Sequence, residues 1–232
     1  SLPPIQRKQL LEGNWEVNEG AAFVEFDPSI HVVPPFDIPL HWERVKGIDY
    51  VYASESCCLW AAVDPQDKTL LIYRELYQKG LTGEALGAQI TEREENEYRS
   101  ISGVLDTSAW ARTGYTGPTI GEALIKAGHK LRRADKNRIA GKVQIHEYLK
   151  QANRESRPKL QIFNTCPSLI KELQGIPLSK INPEDVDTHA QDHAYDALRY
   201  LIMSRPRMET LMERMSGFKR ELYKPADSEF GY

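Results

Sequence analysis

A change of pattern at Val45 constrains this 232-residue chain more than any other feature. Three short apolar runs follow one another from there, at residues 45–53, 57–63 and 69–76, and the turn-forming Asp64-Pro65-Gln66-Asp67-Lys68 divides the last two. Such runs predict strands joined as a meander. Helix and strand signals then alternate. Thr82 is an N-cap ahead of Glu84, Leu86 and Ile90, opening a helix that carries its charged run to Glu97. Residues 101–106 read as a strand, 119–127 as a helix stopped by Gly128, 130–134 as a strand and 138–153 as a helix. A strand at 159–164, a short helix at 168–174, a polar stretch at 179–188 and a final helix at 189–203 complete the series. A meander followed by alternation predicts an α/β fold. Its mixed central sheet is antiparallel in the first strands, then parallel, and flanked by α-helices.

Composition narrows the function classes. The net charge of −3 gives the whole molecule no pull toward nucleic acid, so any basic surface must be local. Cys57, Cys58 and Cys166 are too few for a disulfide framework, and the vicinal pair lies in an apolar run without the spaced partners of a zinc site. No segment reaches the ~18–20 apolar residues of a membrane span, and no leader pattern occurs, so the expectation is a soluble intracellular protein with no membrane partner. Residues 1–44 carry six prolines and no sustained period, and they read as a linker and N-terminal extension cut from a longer protein. The catalytic-type pattern fills 45–204, and 205–232 is a charged C-terminal tail.

Three acidic positions stand out. Asp49 lies inside the first strand among residues that would be buried, so its carboxylate needs a pair, hydrogen bonds or a cation; a frayed strand edge is the bland alternative. Asp106 ends a strand, where sites gather in open α/β sheets, yet an Asp before Thr107-Ser108 is also an ordinary turn former. On the final helix His189, His193, Asp196 and Tyr200 share one side with Asp192 beside them, while Ala194, Ala197, Leu198 and Leu201 share the other. Plain solvation of the polar side is the alternative there. Carboxylates that meet repel unless divalent cations neutralise them, and oxygen ligands of this kind suit Mg²⁺ or Mn²⁺ rather than zinc. Two such ions ~3.5–4 Å apart serve phosphodiester hydrolysis.

From Lys126 to Lys142 the chain carries seven basic residues against one acid. Lys130, Arg132, Arg133, Lys136, Arg138 and Lys142 are candidate phosphate contacts, with a solvated helix–strand surface as the alternative. No GxxxxGK[ST] loop occurs, so the chain has no ATPase site of that kind.

Leu10-Leu11-Glu12-Gly13-Asn14-Trp15 with Gly20-Ala21-Ala22-Phe23 resembles the segment joining the motor and nuclease parts of the large terminase subunit of tailed bacteriophages. Gly47-Ile48-Asp49, Tyr73-Arg74-Glu75-Leu76-Tyr77 with Gly80-Leu81-Thr82, Leu105-Asp106-Thr107-Ser108 and His193-Ala194-Tyr195-Asp196-Ala197-Leu198-Arg199-Tyr200 are similar, in that order, to its nuclease domain. The resemblance implies a ribonuclease H-like fold and a two-metal endonuclease that cuts concatemeric double-stranded viral DNA during packaging. It implies Asp49, Asp106 and Asp196 as the acidic triad, Asp192 as a further ligand and His193 as an auxiliary residue that orients water or assists proton transfer. Glu75 is a reserve ligand, although its strand-end position fits a surface ion pair with Arg74 or Lys79 just as well. Implied partners are double-stranded DNA, the ATPase domain that precedes residues 1–44 in a full-length chain, the small terminase subunit and the portal protein, in the host cytoplasm. Tyr50 and Val51 depart from the Trp and Gly that often follow the first aspartate in that family. A junction resolvase or transposase-like nuclease of the same fold, and a non-catalytic DNA-binding or motor-docking module, are the competing readings.

Overall fold

A computed structural model of the chain describes residues 20–112, 117–150 and 157–205. Within them the elements run α1 (Pro28–His31), β1 (Val32–Val33), β2 (Glu43–Asp49), β3 (Glu55–Val63), β4 (Leu70–Lys79), α2 (Gly83–Glu94), β5 (Ser102–Leu105), α3 (Ile120–Lys126), β6 (Lys130–Arg133), α4 (Arg138–Leu149), β7 (Leu160–Phe163), α5 (Pro167–Gly175) and α6 (His193–Met203). A single 3₁₀ turn, Ser108–Trp110, follows β5. The seven strands form one mixed sheet in the order β1-β7-β4-β3-β2-β5-β6. β2, β3 and β4 are the antiparallel meander, whereas β5 and β6 extend it in parallel from β2, and β7 and β1 do so from β4.

β3 is central and both its faces are covered, which explains a run of apolar residues without alternation. Its side chains still alternate. Cys57, Leu59 and Ala61 join one core with Ile145 of α4, Leu169 of α5 and Leu198 of α6, while Cys58, Trp60 and Ala62 join another with Leu86 and Ile90 of α2 and Leu124 of α3. The vicinal cysteines therefore face opposite layers, buried and free. Lys46 crosses into the second layer, where its buried ammonium is neutralised by Glu94 at 2.7 Å, and the Trp60 indole N–H donates to the same carboxylate. Thr82 caps α2 as its sequence position signals, while Thr119 and Glu122 form a capping box on α3 and Asn137 caps α4.

Boundaries at both ends of the fold need correction. The extension drawn over 1–44 enters the fold well before Val45: Phe23, Phe26 and His31 are buried, and Val32–Val33 adds the outermost strand beside β7. His31 carries no periodicity to betray it, yet it is locked. Its Nε2 donates to the Leu149 carbonyl at 2.9 Å, and its Nδ1 lies 3.0 Å from the Asp27 N–H and 2.9 Å from the Asp27 carbonyl. The last helix starts at His193 and not at His189, which lies exposed in the preceding turn. The motif at residues 10–15 and the tail from 206 lie outside the described residues. Among the described residues no helix is long and apolar enough to cross a membrane.

Candidate active site

The parallel pairing of β2 with β5 brings the first two acidic residues together. Ile48 is in register with Leu105, and the Asp106 N–H donates to the Ile48 carbonyl at 3.0 Å. Asp49 and Asp106 thus occupy matching positions at the carboxyl ends of neighbouring strands, whose spacing is ~4.8 Å. Ile48 and Leu105 belong to the α2 layer, so the residues after them point to the opposite layer, toward α6. Tyr200 of α6 accordingly donates its hydroxyl to Asp106 at 3.2 Å, and Ser108 donates to the other carboxylate oxygen.

Close approach of α6 to the sheet depends on Gly47. A methyl group there would overlap the Ala197 carbonyl oxygen and lie 2.8 Å from Leu201 Cβ. The helix therefore passes over β2 two residues before Asp49. Its first turn delivers His193, whose Nδ1 lies 3.0 Å from Asp49 and whose Nε2 lies 2.9 Å from Ser54. One turn on comes Asp196, 9% exposed, gripped by two guanidinium groups: Arg199 Nε at 3.0 Å and Arg138 Nη1 at 3.1 Å. Arg138 also pairs with Asp192 at 3.4 Å and with Asp185 at 2.9 Å. The expectation of one packed and one polar side for this helix is corrected: Asp196, Arg199 and Tyr200 are all buried, because α6 is covered by α4 as well as by the sheet.

The N-terminus of α6 is capped from another element. Asp192 makes no side-chain cap, and Glu172 of α5 instead accepts the Tyr195 N–H at 2.8 Å and the Tyr77 hydroxyl at 2.9 Å. Burial pushes Glu172 up to about 7, against these hydrogen bonds. Between about pH 4.5 and 7 the folded state therefore holds a proton that the unfolded state has released, and stability falls as pH rises through that window. Glu172→Gln keeps the shape without the charge. Urea unfolding of wild type and variant at pH 5 and pH 8 is expected to show an extra wild-type loss of about 2–3 kcal/mol. Equal losses in the two proteins would mean that Glu172 ionises as it does in water.

The acidic residues act on one another. Burial raises Asp49 to about 6 against the hydrogen bond from His193, and the charges of Asp196 and Asp106 push it further up. Asp192 is also raised to about 6, by burial first and then by Asp196, with Arg138 opposing. The Asp49 hydrogen bond raises His193. Among the described residues no three His, Cys, Asp or Glu side chains are gathered as a ready metal cage. The carboxylates are turned instead to His193, Tyr200, Ser108, Arg138 and Arg199. Carboxylate oxygens whose neighbouring charges help raise Asp49 and Asp192 are nevertheless the donor set a hard divalent cation takes.

No family model and no curated protein sequence matches the chain. Solved structures do. The large terminase of a thermophilic bacteriophage superposes with a TM-score of 0.65 at 18% identity, over 81% of this chain and 46% of that one. The nuclease domain of the P22 large terminase gives a TM-score of 0.65 at 15% identity, over 84% of this chain and 98% of that domain. The large terminase nuclease of a second thermophilic phage, G20c, gives 0.55 at 11% identity, over 79% and 97%, and has also been solved with bound cobalt and with bound zinc. This chain has the fold of large terminase nuclease domains. It is ribonuclease H-like, spanning about half the length of the first of these terminases and nearly all of the P22 nuclease domain.

Within that terminase-type fold the basic run divides. Lys130, Arg132, Arg133 and Lys136 are exposed on β6 and the loop after it, Arg132 bonding the Ser204 carbonyl at 2.9 Å and Arg133 lying over Trp110. Arg138 and Lys142 do not join them. Arg138 is turned into the acidic cluster, and the buried Lys142 ammonium donates to the carbonyls of Pro183 and Glu184, fixing the loop before α6. Glu75 accepts the N–H groups of Ser168 and Leu169, which makes it a cap for α5 rather than a reserve ligand. Sequence reading missed Asp185 altogether, since nothing in Asn182-Pro183-Glu184-Asp185 marks it; Ser108, two residues after Asp106, was legible as an Asp-x-Ser turn.

Proposed function

We propose that the chain is the metal-dependent endonuclease domain of a phage large terminase, cleaving concatemeric double-stranded DNA during genome packaging. The observation that carries the reading is the pairing of Asp49 and Asp106 on neighbouring strand ends, with Asp196 of α6 close enough for its charge to raise Asp49. The fold match to terminase nuclease domains, and the cobalt and zinc bound by the G20c nuclease, support it.

Asp49, Asp106 and Asp196 would hold two divalent cations, Mg²⁺ or Mn²⁺, with Asp192 at the margin. When bound, such ions activate water and stabilise the leaving oxygen of a phosphodiester. The protein's own groups do the rest. His193, fixed between Asp49 and Ser54, is positioned to hold a proton at the mouth of the site or to orient water. Tyr200 and Ser108 keep Asp106 pointed toward α6. Exposed Lys130, Arg132, Arg133 and Lys136 grip the DNA backbone without reading sequence. The ATPase domain, the small terminase subunit and the portal are the partners this function requires, in the host cytoplasm.

Nicking of supercoiled plasmid in Mn²⁺ or Mg²⁺, set against EDTA, is the direct test. Conversion that depends on the metal supports the reading; none in any divalent ion removes it, and cleavage confined to four-way junctions transfers the site to a resolvase. For the DNA surface, Lys130→Ala with Lys136→Ala is expected to weaken duplex binding and reduce the salt slope by roughly 2. Lys142→Ala should lower stability and leave that slope unchanged.

A further inference from the structure

We propose that Arg138 is an internal counter-ion standing where a divalent cation binds at Asp192 and Asp196, so that metal loading requires its guanidinium to be displaced. This rests on the nuclease reading and goes beyond it, because Arg138 then sets the metal affinity of the DNA-free domain.

Arg138 is the first residue of α4, the positive end of a helix and an unfavourable place for a cation. Three carboxylates hold it there: Asp185 at Nε, Asp192 at Nη2 and Asp196 at Nη1. The two guanidinium groups on Asp196 differ in kind. Arg199 has 2% of its side chain exposed, its methylenes pack against Gly141, and its guanidinium lies 4.4 Å from the Tyr200 ring centroid. It cannot leave without unpacking α4 from α6. Arg138 has 25% of its side chain exposed and no such packing at Gly141. Arg199 is bonded to Oδ1 of Asp196, whereas Oδ2 is satisfied by Arg138 alone among the hydrogen bonds of the described residues. Departure of Arg138 thus exposes one oxygen of Asp196 and one of Asp192 while Arg199 still orients the carboxylate. Asp185, bonded to Nε on the far side, remains as a tether. A guanidinium and a divalent cation satisfy the same oxygens, and only one can do so at a time.

The test titrates Mn²⁺ calorimetrically into DNA-free wild type, Arg138→Met and Arg138→Lys, with wild-type plasmid nicking run in parallel. Arg138→Met is expected to bind Mn²⁺ about tenfold more tightly than wild type, with Arg138→Lys between them, because an ammonium lacks the fork that spans two carboxylates. If the Met variant is unstable without metal, its Mn²⁺-induced rise in unfolding midpoint must exceed that of wild type, a result a purely structural arginine would not give. Equal or weaker binding in both variants, beside a wild type that nicks in Mn²⁺, overturns the counter-ion role and leaves the nuclease. A wild type that neither nicks nor binds Mn²⁺, with variants that do not bind either, removes both.

Discussion

On the proposed nuclease reading, Asp49→Asn is expected to lower metal-dependent nicking by about a thousandfold or more while leaving duplex affinity within about twofold of wild type. Asparagine keeps the shape of the side chain and removes the anionic oxygen that a divalent ion needs. The change also separates chemistry from folding. Asp49 is 4% exposed and burial raises its pKa, so its charge is a liability to the folded state, and the variant should melt no lower than wild type. Asp196→Asn should lose activity to a similar extent but also lose stability, because it takes the counter-charge from Arg199, whose Nη1 is already buried without a partner. Nicking at the wild-type rate by a folded Asp49→Asn protein would sink the acidic site.

Gly47→Ala is the second large effect, and it acts through backbone geometry. The added methyl meets the Ala197 carbonyl, which belongs to a packed helix and cannot swing aside as a flexible side chain can. Relief requires α6 to move off β2 and carry His193 and Asp196 with it. The expected loss is about 3 kcal/mol, or ~6–12 °C in Tm, together with most of the nicking activity. Gly80→Ala is a useful contrast. A Cβ there meets nothing, but φ is +72°, so its smaller cost is backbone strain alone and the site is untouched. Thermal melts and nicking assays on the two variants would dismiss the clearance argument if Gly47→Ala proved as mild as Gly80→Ala.

Much of the architecture was legible because its signals are local. The Asp64–Lys68 turn, the Thr82 cap and the apolar runs of β2 to β4 each fix their own element. Placing Asp106 at a strand end followed from the same runs, whereas Asp49, expected inside a strand running on to residue 53, is the last residue of β2. Direction in three dimensions was not legible. Counting charge from Lys126 to Lys142 treats every cation alike, yet Arg138 and Lys142 sit on a helix whose near side meets the loop before α6, and they turn inward to its carboxylates and carbonyls. The burial of Phe23, Phe26 and His31 escaped notice for a related reason: irregular chain anchored by single buried side chains has no period to find. Glu172 carries no local signal either, because only its contact with Tyr195 of another helix makes it a cap.

Chain order gives the Asp49–His193 contact a further meaning. The two residues are 144 positions apart, and the helix carrying His193 and Asp196 is the last element among the described residues. Strand pairing alone can bring Asp49 and Asp106 side by side, but the third carboxylate arrives only when that helix has left the ribosome and docked. Such distant closure is slow compared with local folding. On the nuclease reading, a chain that stops short of that helix therefore lacks the third carboxylate, and hydrolytic capacity waits on the making and docking of that helix.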